Sequence, residues 1–227
     1  MSNDGDLRAR AGLALRQLGH ALIGHDASPD LLRQLTTQME RLTSELEAGA
    51  GRTRDPNSFG DTWGAPIADG QPLKSYDDRP VSGRSSPWGL DLDVHRRGNE
   101  VHAGVTLREA HEGAPGRSHG GIVAALFDDV FGFVLGVEHQ PAFTGELSLR
   151  YQAATPLHRP LSCRARTLRR ERRKMFMTGE LIDITVECQP VLVRATATMI
   201  AIDVDELFGL TAELPAPPDE GDDSGST

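Results

Sequence analysis

Asp128 stands in a stretch that gives a carboxylate few places to go. Residues Ile122 to Gly136 read IVAALFDDVFGFVLG, apolar except for Asp128 and Asp129. A helix apolar on every face is a buried helix, and a carboxylate on it is costly unless paired, hydrogen-bonded or put to use. A glycine-rich turn, Gly116-Arg117-Ser118-His119-Gly120-Gly121, feeds directly into it. At ~100° per residue, Gly121 and Asp128 share nearly one face, two turns or ~10 Å apart. Free backbone N–H groups gather at a helix start. They can hold a developing oxyanion, at Gly121 or Gly120, while a carboxylate activates water or attacks a carbonyl. Asp129 points ~100° away and is the weaker candidate. The plainer reading of Asp128 is a structural carboxylate, capped by N–H groups or paired with an arginine.

Other chemistries are less well served. Gly116 to Gly120 matches G-x-S-x-G, the elbow that presents a serine nucleophile, but an elbow needs a strand running into it and a parallel sheet around it. Here Glu109 to Pro115 contains Gly113 and Pro115 and makes a poor strand, so Ser118 is not expected to be a nucleophile. The eight histidines show no paired ligand spacing, which argues against a metal site. There is no G-x-x-x-x-G-K-[ST] loop for a nucleoside triphosphate. A net charge of −9 over 227 residues argues against broad nucleic-acid binding.

The elements that must position Asp128 follow from periodicity. Ala11, Leu15, Leu18 and Leu22 recur at helical spacing. A break at Asp26 to Asp30 offers Ser28 as a cap and Pro29 as a first-turn residue. Leu32, Leu35, Met39, Leu42 and Leu46 then form a narrow seam at alternating spacings of three and four, suited to a partner helix or a domain surface. Residues 1–50 are thus expected to be a helical extension, and 51–81, rich in Gly, Pro, Asp and Ser, a linker or extended wrap. Leu90, Leu92 and Val94 alternate with polar residues, Arg97-Gly98-Asn99 makes a turn, and Val101 to Leu107 reads as a second strand. After the buried helix come strand-like runs at Thr144–Tyr151, Leu161–Leu168, Met175–Val186 and Val191–Ile202. Two strands, a long helix and four strands make an α+β fold, an antiparallel sheet curled around a central helix. The end of the chain, 206–227, reads as an acidic flexible tail, with five acids, no bases and three prolines from Thr211 on. Cys163 and Cys188 show no framework spacing and are expected as free thiols. No run of ~18 uninterrupted apolar residues suggests a membrane span, and no signal peptide is visible, so the cytoplasm is the expected location.

This order of elements, with the residues at the helix start, resembles the hotdog-fold thioesterases, in particular the branch of phenylacetyl-CoA (PaaI-like) and related acyl-CoA thioesterases. His119-Gly120-Gly121 looks like that branch's HGG turn. Asp128, nine residues on, falls where the branch keeps its catalytic carboxylate. Thr144-Gly145-Glu146-Leu147-Ser148-Leu149-Arg150-Tyr151 is similar to its strand after the helix, and Ser86-Pro87-Trp88-Gly89-Leu90 to its lead-in segment. The likeness spans roughly residues 82–205, the expected hotdog domain, and leaves out the N-terminal helices and the tail.

The resemblance implies an acyl-CoA thioesterase acting without metal or cofactor, coenzyme A being part of the substrate. It implies a homodimer or dimer of dimers with sites at subunit interfaces. Asp128 would activate the attack and Gly121 N–H would hold the carbonyl oxygen. His119 would lie beside it or be a turn histidine, and Thr144 would add a polar contact, with the neighbouring subunit favoured as its source. Arg169, Arg170, Arg172, Arg173 and Lys174 crowd five bases into six positions. Clustered Arg and Lys suit the phosphates of coenzyme A, while the bland alternative is a solvated hairpin turn. Two further readings keep the scaffold: a hotdog dehydratase, disfavoured because the helix interior holds no histidine, and a non-catalytic acyl-CoA-binding or assembly protein.

Overall fold

The computed structural model describes residues 3–52 and 67–203. The expected acidic tail, 206–227, and part of the expected wrap, 53–66, lie outside the described residues. The elements are α1 (Asn3–Gly24), α2 (Pro29–Glu47), β1 (Asp93–Arg97), β2 (Glu100–Thr106), a 3-10 turn (Glu109–His111), α3 (Gly120–Glu138), β3 (Ala142–Tyr151), β4 (Pro160–Glu171), β5 (Lys174–Asp183) and β6 (Val191–Ala201). Strand by strand this is the expected α+β order. β1 is shorter than Leu90–His95 suggested, and β5 ends at Asp183 rather than Val186.

The six strands form one sheet in the order β1-β2-β4-β5-β6-β3, with every described pair antiparallel. Alternation puts Leu161, Cys163 and Ala165 of β4, Met175 and Met177 of β5, and Val193, Ala195 and Ala197 of β6 on one face. α3 lies across that face. Its Leu126, Phe127, Val130, Phe131 and Val134 are fully buried, each contributing about 1.5–3 kcal/mol of apolar burial. The helix sits close because the sheet beneath is built from small residues. A side chain at Gly179 would meet the Phe127 ring at 3.0 Å, and Ala165, Ala195 and Ala197 line the same bed. α3 is long and apolar enough to cross a bilayer, yet nine of its residues are buried in this protein core.

The sheet's two edges are treated differently. Residues 70–73 pair along β1, with Leu73 N–H donating to Val94 O at 2.7 Å and Arg96 N–H to Gln71 O at 3.2 Å. This segment is therefore an extended wrap whose Leu73 enters the core. The other edge, β3, carries no fully buried residue.

α1 docks through a face other than its apolar stripe. It meets the body through Gly12, Arg16 and His20, while Leu15 and Leu22 point outward. Arg16 donates to the carbonyls of Arg84 (3.0 Å) and Ser86 (2.5 Å) and pairs with Asp91 (2.8 Å). His20 accepts from Ala110 N–H and packs edge-on against His111, ring centres 4.8 Å apart. Polar groups seeking partners, rather than the apolar stripe, chose the docking face. α2 begins as read: Ser28 caps it, accepting from Leu31 N–H at 3.2 Å, with Pro29 in the first turn.

Candidate active site

The two adjacent acids of α3 part company. Asp129 is the buried one. Its Oδ1 pairs with Arg79 Nε at 2.9 Å, and the arginine also donates to Ser75 Oγ and stacks over Phe133. Burial pushes the Asp129 carboxyl above the ordinary carboxylate range, and the Arg79 charge pulls the other way. The structural-carboxylate role weighed for Asp128 therefore falls to Asp129. Asp128 itself is exposed in the single chain, a correction to its expected burial.

Asp128 stands on the only accessible stripe of α3, which runs Gly121, Ala125, Asp128, Gly132 and Gly136 among mostly buried neighbours. Thr144 Oγ1 donates to Asp128 Oδ1 at 2.8 Å. The expectation that favoured a neighbouring subunit for Thr144 is thus corrected: the same chain supplies both. The reach depends on a bulge. The β3–β6 register slips between Thr144 and Glu146, leaving Gly145 unpaired, and an unpaired residue re-aims the side chains beside it. A Cβ at Gly145 would lie 2.9 Å from Ile200 and 3.1 Å from the Thr198 carbonyl, so glycine fits the crowded bulge.

Asp128 and Thr144 open into a cavity of about 270 Å³. Its walls are mainly apolar, with Leu73, Phe133, Leu135, Ala142, Phe143 and Met199, and Arg79 and Lys74 close one side from the wrap. Gly132 leaves the room that Arg79 occupies. The sequence reading missed Arg79. The one signal was Asp129, since a carboxylate on a buried face demands a cation. Which of the many arginines answers that demand depends on the path of the wrap.

At the start of α3 the expected residues gather, with one difference. His119 is the N-cap, and its Nδ1 accepts from Gly121 N–H at 3.0 Å. The group assigned to a carbonyl oxygen is therefore already bound, by the adjacent histidine. His119 N–H is held by His111 O at 2.8 Å, Ser118 N–H by Thr155 O at 2.9 Å, and Gly120 O by the Tyr151 hydroxyl at 2.7 Å. Tyr151 was not singled out from sequence beyond its place in the strand. Ser118 Oγ points to the His119 carbonyl at 3.4 Å, not to a histidine ring, and no described strand runs into the turn. No nucleophile elbow is formed.

The basic cluster occupies the β4–β5 hairpin. Lys174 lies opposite Ile200, which lies opposite Phe143, so it is two strand spacings, about 10 Å, from the residue before Thr144. Arg170 donates to Gln140 at 2.7 Å and Arg173 to Ala201 O at 2.9 Å. Arg169 pairs with Glu171 and stacks on Phe176. Arg172, at φ +53°, and Lys174 are exposed and make no ion pair among the described residues.

Residues 116–203, from the glycine turn to β6, match the thioesterase superfamily family model. Over those residues the chain is similar to the thioesterase superfamily. A thioesterase superfamily protein of solved structure superposes with a TM-score of 0.70 at 24% identity, covering 85% of this chain and 94% of its own. That superposition shows a shared hotdog fold, over more of the chain than residues 51–227 alone make up. Smaller matches include a hypothetical thioesterase from Streptococcus pneumoniae solved with coenzyme A (TM-score 0.45, 20% identity, 48% of this chain and 87% of that one). Another is the phenylacetic acid degradation protein PaaI from Thermus thermophilus (0.44, 21%, 49% and 93%). No curated protein matches this chain.

Proposed function

We propose that this protein hydrolyses an acyl-CoA to a carboxylic acid and coenzyme A, with Asp128 as the group that activates the attack. The observation that carries the reading is the Thr144–Asp128 hydrogen bond at the mouth of a mostly apolar cavity. It leaves Asp128 Oδ2 open to a water or a thioester carbon, with an apolar space for the acyl chain beside it. In the hydrolytic step, Asp128 takes a proton from water, the water oxygen bonds to the carbonyl carbon, and the C–S bond breaks. The proton then passes to the departing thiolate.

The carbonyl oxygen needs donors within about 3 Å. In one chain, Gly121 is two helical turns, about 10 Å, from Asp128. One carbonyl cannot touch both, so the active arrangement pairs Asp128 and Thr144 of one copy with the α3 start of a second. His119 must swing its Nδ1 off Gly121 N–H to free that donor. The exposed Asp128, Thr144, Gly121 and edge strand β3 suit such an interface. The basic hairpin, with Arg172 and Lys174 unpaired, suits the phosphates of coenzyme A.

The test is thiol release from short, long and aromatic acyl-CoAs by wild type and Asp128→Asn. Removing a catalytic base costs about 10²–10⁴-fold in rate, so kcat/KM should drop at least a hundredfold. A drop of less than tenfold removes Asp128 from the role. Binding of acyl-CoA with no hydrolysis by either protein replaces the enzyme with a carrier or assembly protein.

A further inference from the structure

The N-terminal helices carry two apolar faces that the described residues leave largely uncovered. On α1 the face is Leu7, Ala11, Leu15, Leu18 and Leu22, nearly opposite the docked Gly12, Arg16 and His20. Leu15 and Leu22 are 45% and 47% exposed. On α2 the seam is Leu32, Leu35, Met39, Leu42 and Leu46, and α2 has no buried residue at all. A lone 19-residue helix is marginal in water, because most helical stability in proteins comes from packing.

The two faces match each other. Laid antiparallel, Leu22 meets Leu32, Leu18 meets Leu35, Leu15 meets Met39, Ala11 meets Leu42, and Leu7 meets Leu46, with no slip along the pair. The charges match in the same register. Arg8 and Arg10, exposed and without an ion pair among the described residues, stand near the start of α1. Glu45 and Glu47 stand at the end of α2, and Arg8 falls opposite Glu45, an exposed carboxylate that also pairs with Arg41 along its own helix at 2.7 Å. The positions flanking the α2 seam are otherwise uncharged, Thr36, Gln38 and Thr43, so covering it strands few charges.

The pair is not closed within the chain, since both faces remain open. We infer that the occupant is a second copy: α2 of one chain seats on the outward face of α1 of another, and the exchange is reciprocal. Reciprocal exchange of an identical element is a low-cost route to dimers. The helical extension is then an assembly device, held to its own body by α1 and to its partner by α2.

Disulfide trapping tests this in the full-length chain, with the exposed Cys188 replaced by serine. One protein carries Leu15→Cys and another, distinguished by mass, carries Met39→Cys. Mixed at micromolar concentration and oxidised, they should give a linked dimer containing one chain of each. In the Leu15→Cys/Met39→Cys double variant the cross-link should join chains rather than close within one. A mainly intrachain cross-link overturns the exchange in favour of a helical hairpin. Efficient dimerisation of Met39→Cys alone shows α2 against α2 and overturns it too, as does the absence of any cross-link. As a second reading, adding Leu35→Glu and Leu42→Glu to the Met39→Cys protein should abolish its cross-link to Leu15→Cys while the thermal transition of the body stays in place. An undiminished cross-link contradicts the proposal.

Discussion

Asp128 and Asp129 are neighbours in sequence and opposites in environment. Among the described residues the exposed one is held by a threonine, and the buried one is bound to Arg79. Removing Arg79 leaves a carboxylate buried without its cation, which costs about 3–5 kcal/mol. Arg79→Ala should therefore lower the urea midpoint sharply, and Arg79→Leu/Asp129→Leu should recover most of the loss. A single-variant loss under about 1 kcal/mol shows that the pair is not what makes Asp129 tolerable. At this scale the sequence is only half legible. Helical spacing alone put Asp128 on the face of Gly121, and resemblance put Thr144 near it. Spacing did not reveal that the stripe they share is accessible, because an apolar run tells how much of a helix is buried and not where the gap lies. Nor did it reveal that Gly121 N–H is held by His119, since a histidine is an uncommon helix cap.

At the scale of elements, the six strands and the central helix could be read from alternation and length, because each buries one side against a continuous core. α1 was legible as a helix, but its docking face was not. Periodicity finds an apolar face but does not say what that face packs on, and here the polar face won the body. Its junction should respond to pH. Burial holds the His111 imidazole down to about 4, and His20, against it, is lowered too. A folded-state pKa below the unfolded value of 6.5 contributes stability that is complete above pH 6.5 and is lost as the pH falls towards 4. Wild type should therefore lose on the order of 2–3 kcal/mol between pH 7 and 4.5 through this pair. His111→Gln should lose clearly less over the same interval. Equal losses, read from urea unfolding at the two pH values, place the acid sensitivity elsewhere.

At the scale of the whole molecule, the proposed mechanism gives one chain two half-sites, too far apart to work together. If Asp128 of one copy works with Gly121 of another, lesions in the two halves complement. Asp128→Asn and Gly121→Pro should each be nearly inactive alone. Mixed, dissociated and reassembled, they should recover up to about a quarter of wild-type activity, because half of the two-fold pairs are mixed and each holds one intact site. No recovery, with mixed pairs shown to form, means that a single chain supplies the whole site. None of this arrangement is written in periodicity or composition. It follows from a helical rise, a length that the sequence contains but that acquires meaning only beside the reach of a carbonyl group.

What α1 recognises on the body is mostly main chain. Arg16 reads the carbonyls of Arg84 and Ser86, Gly12 lies against the backbone of Ser85, and His20 takes the N–H of Ala110. Such a dock is written largely in the path of the chain, with the side chains of Asp91 and His111 beside it. Residues 85 and 110 are therefore free to drift over evolutionary time without erasing it, whereas an insertion or deletion nearby would abolish it in one step.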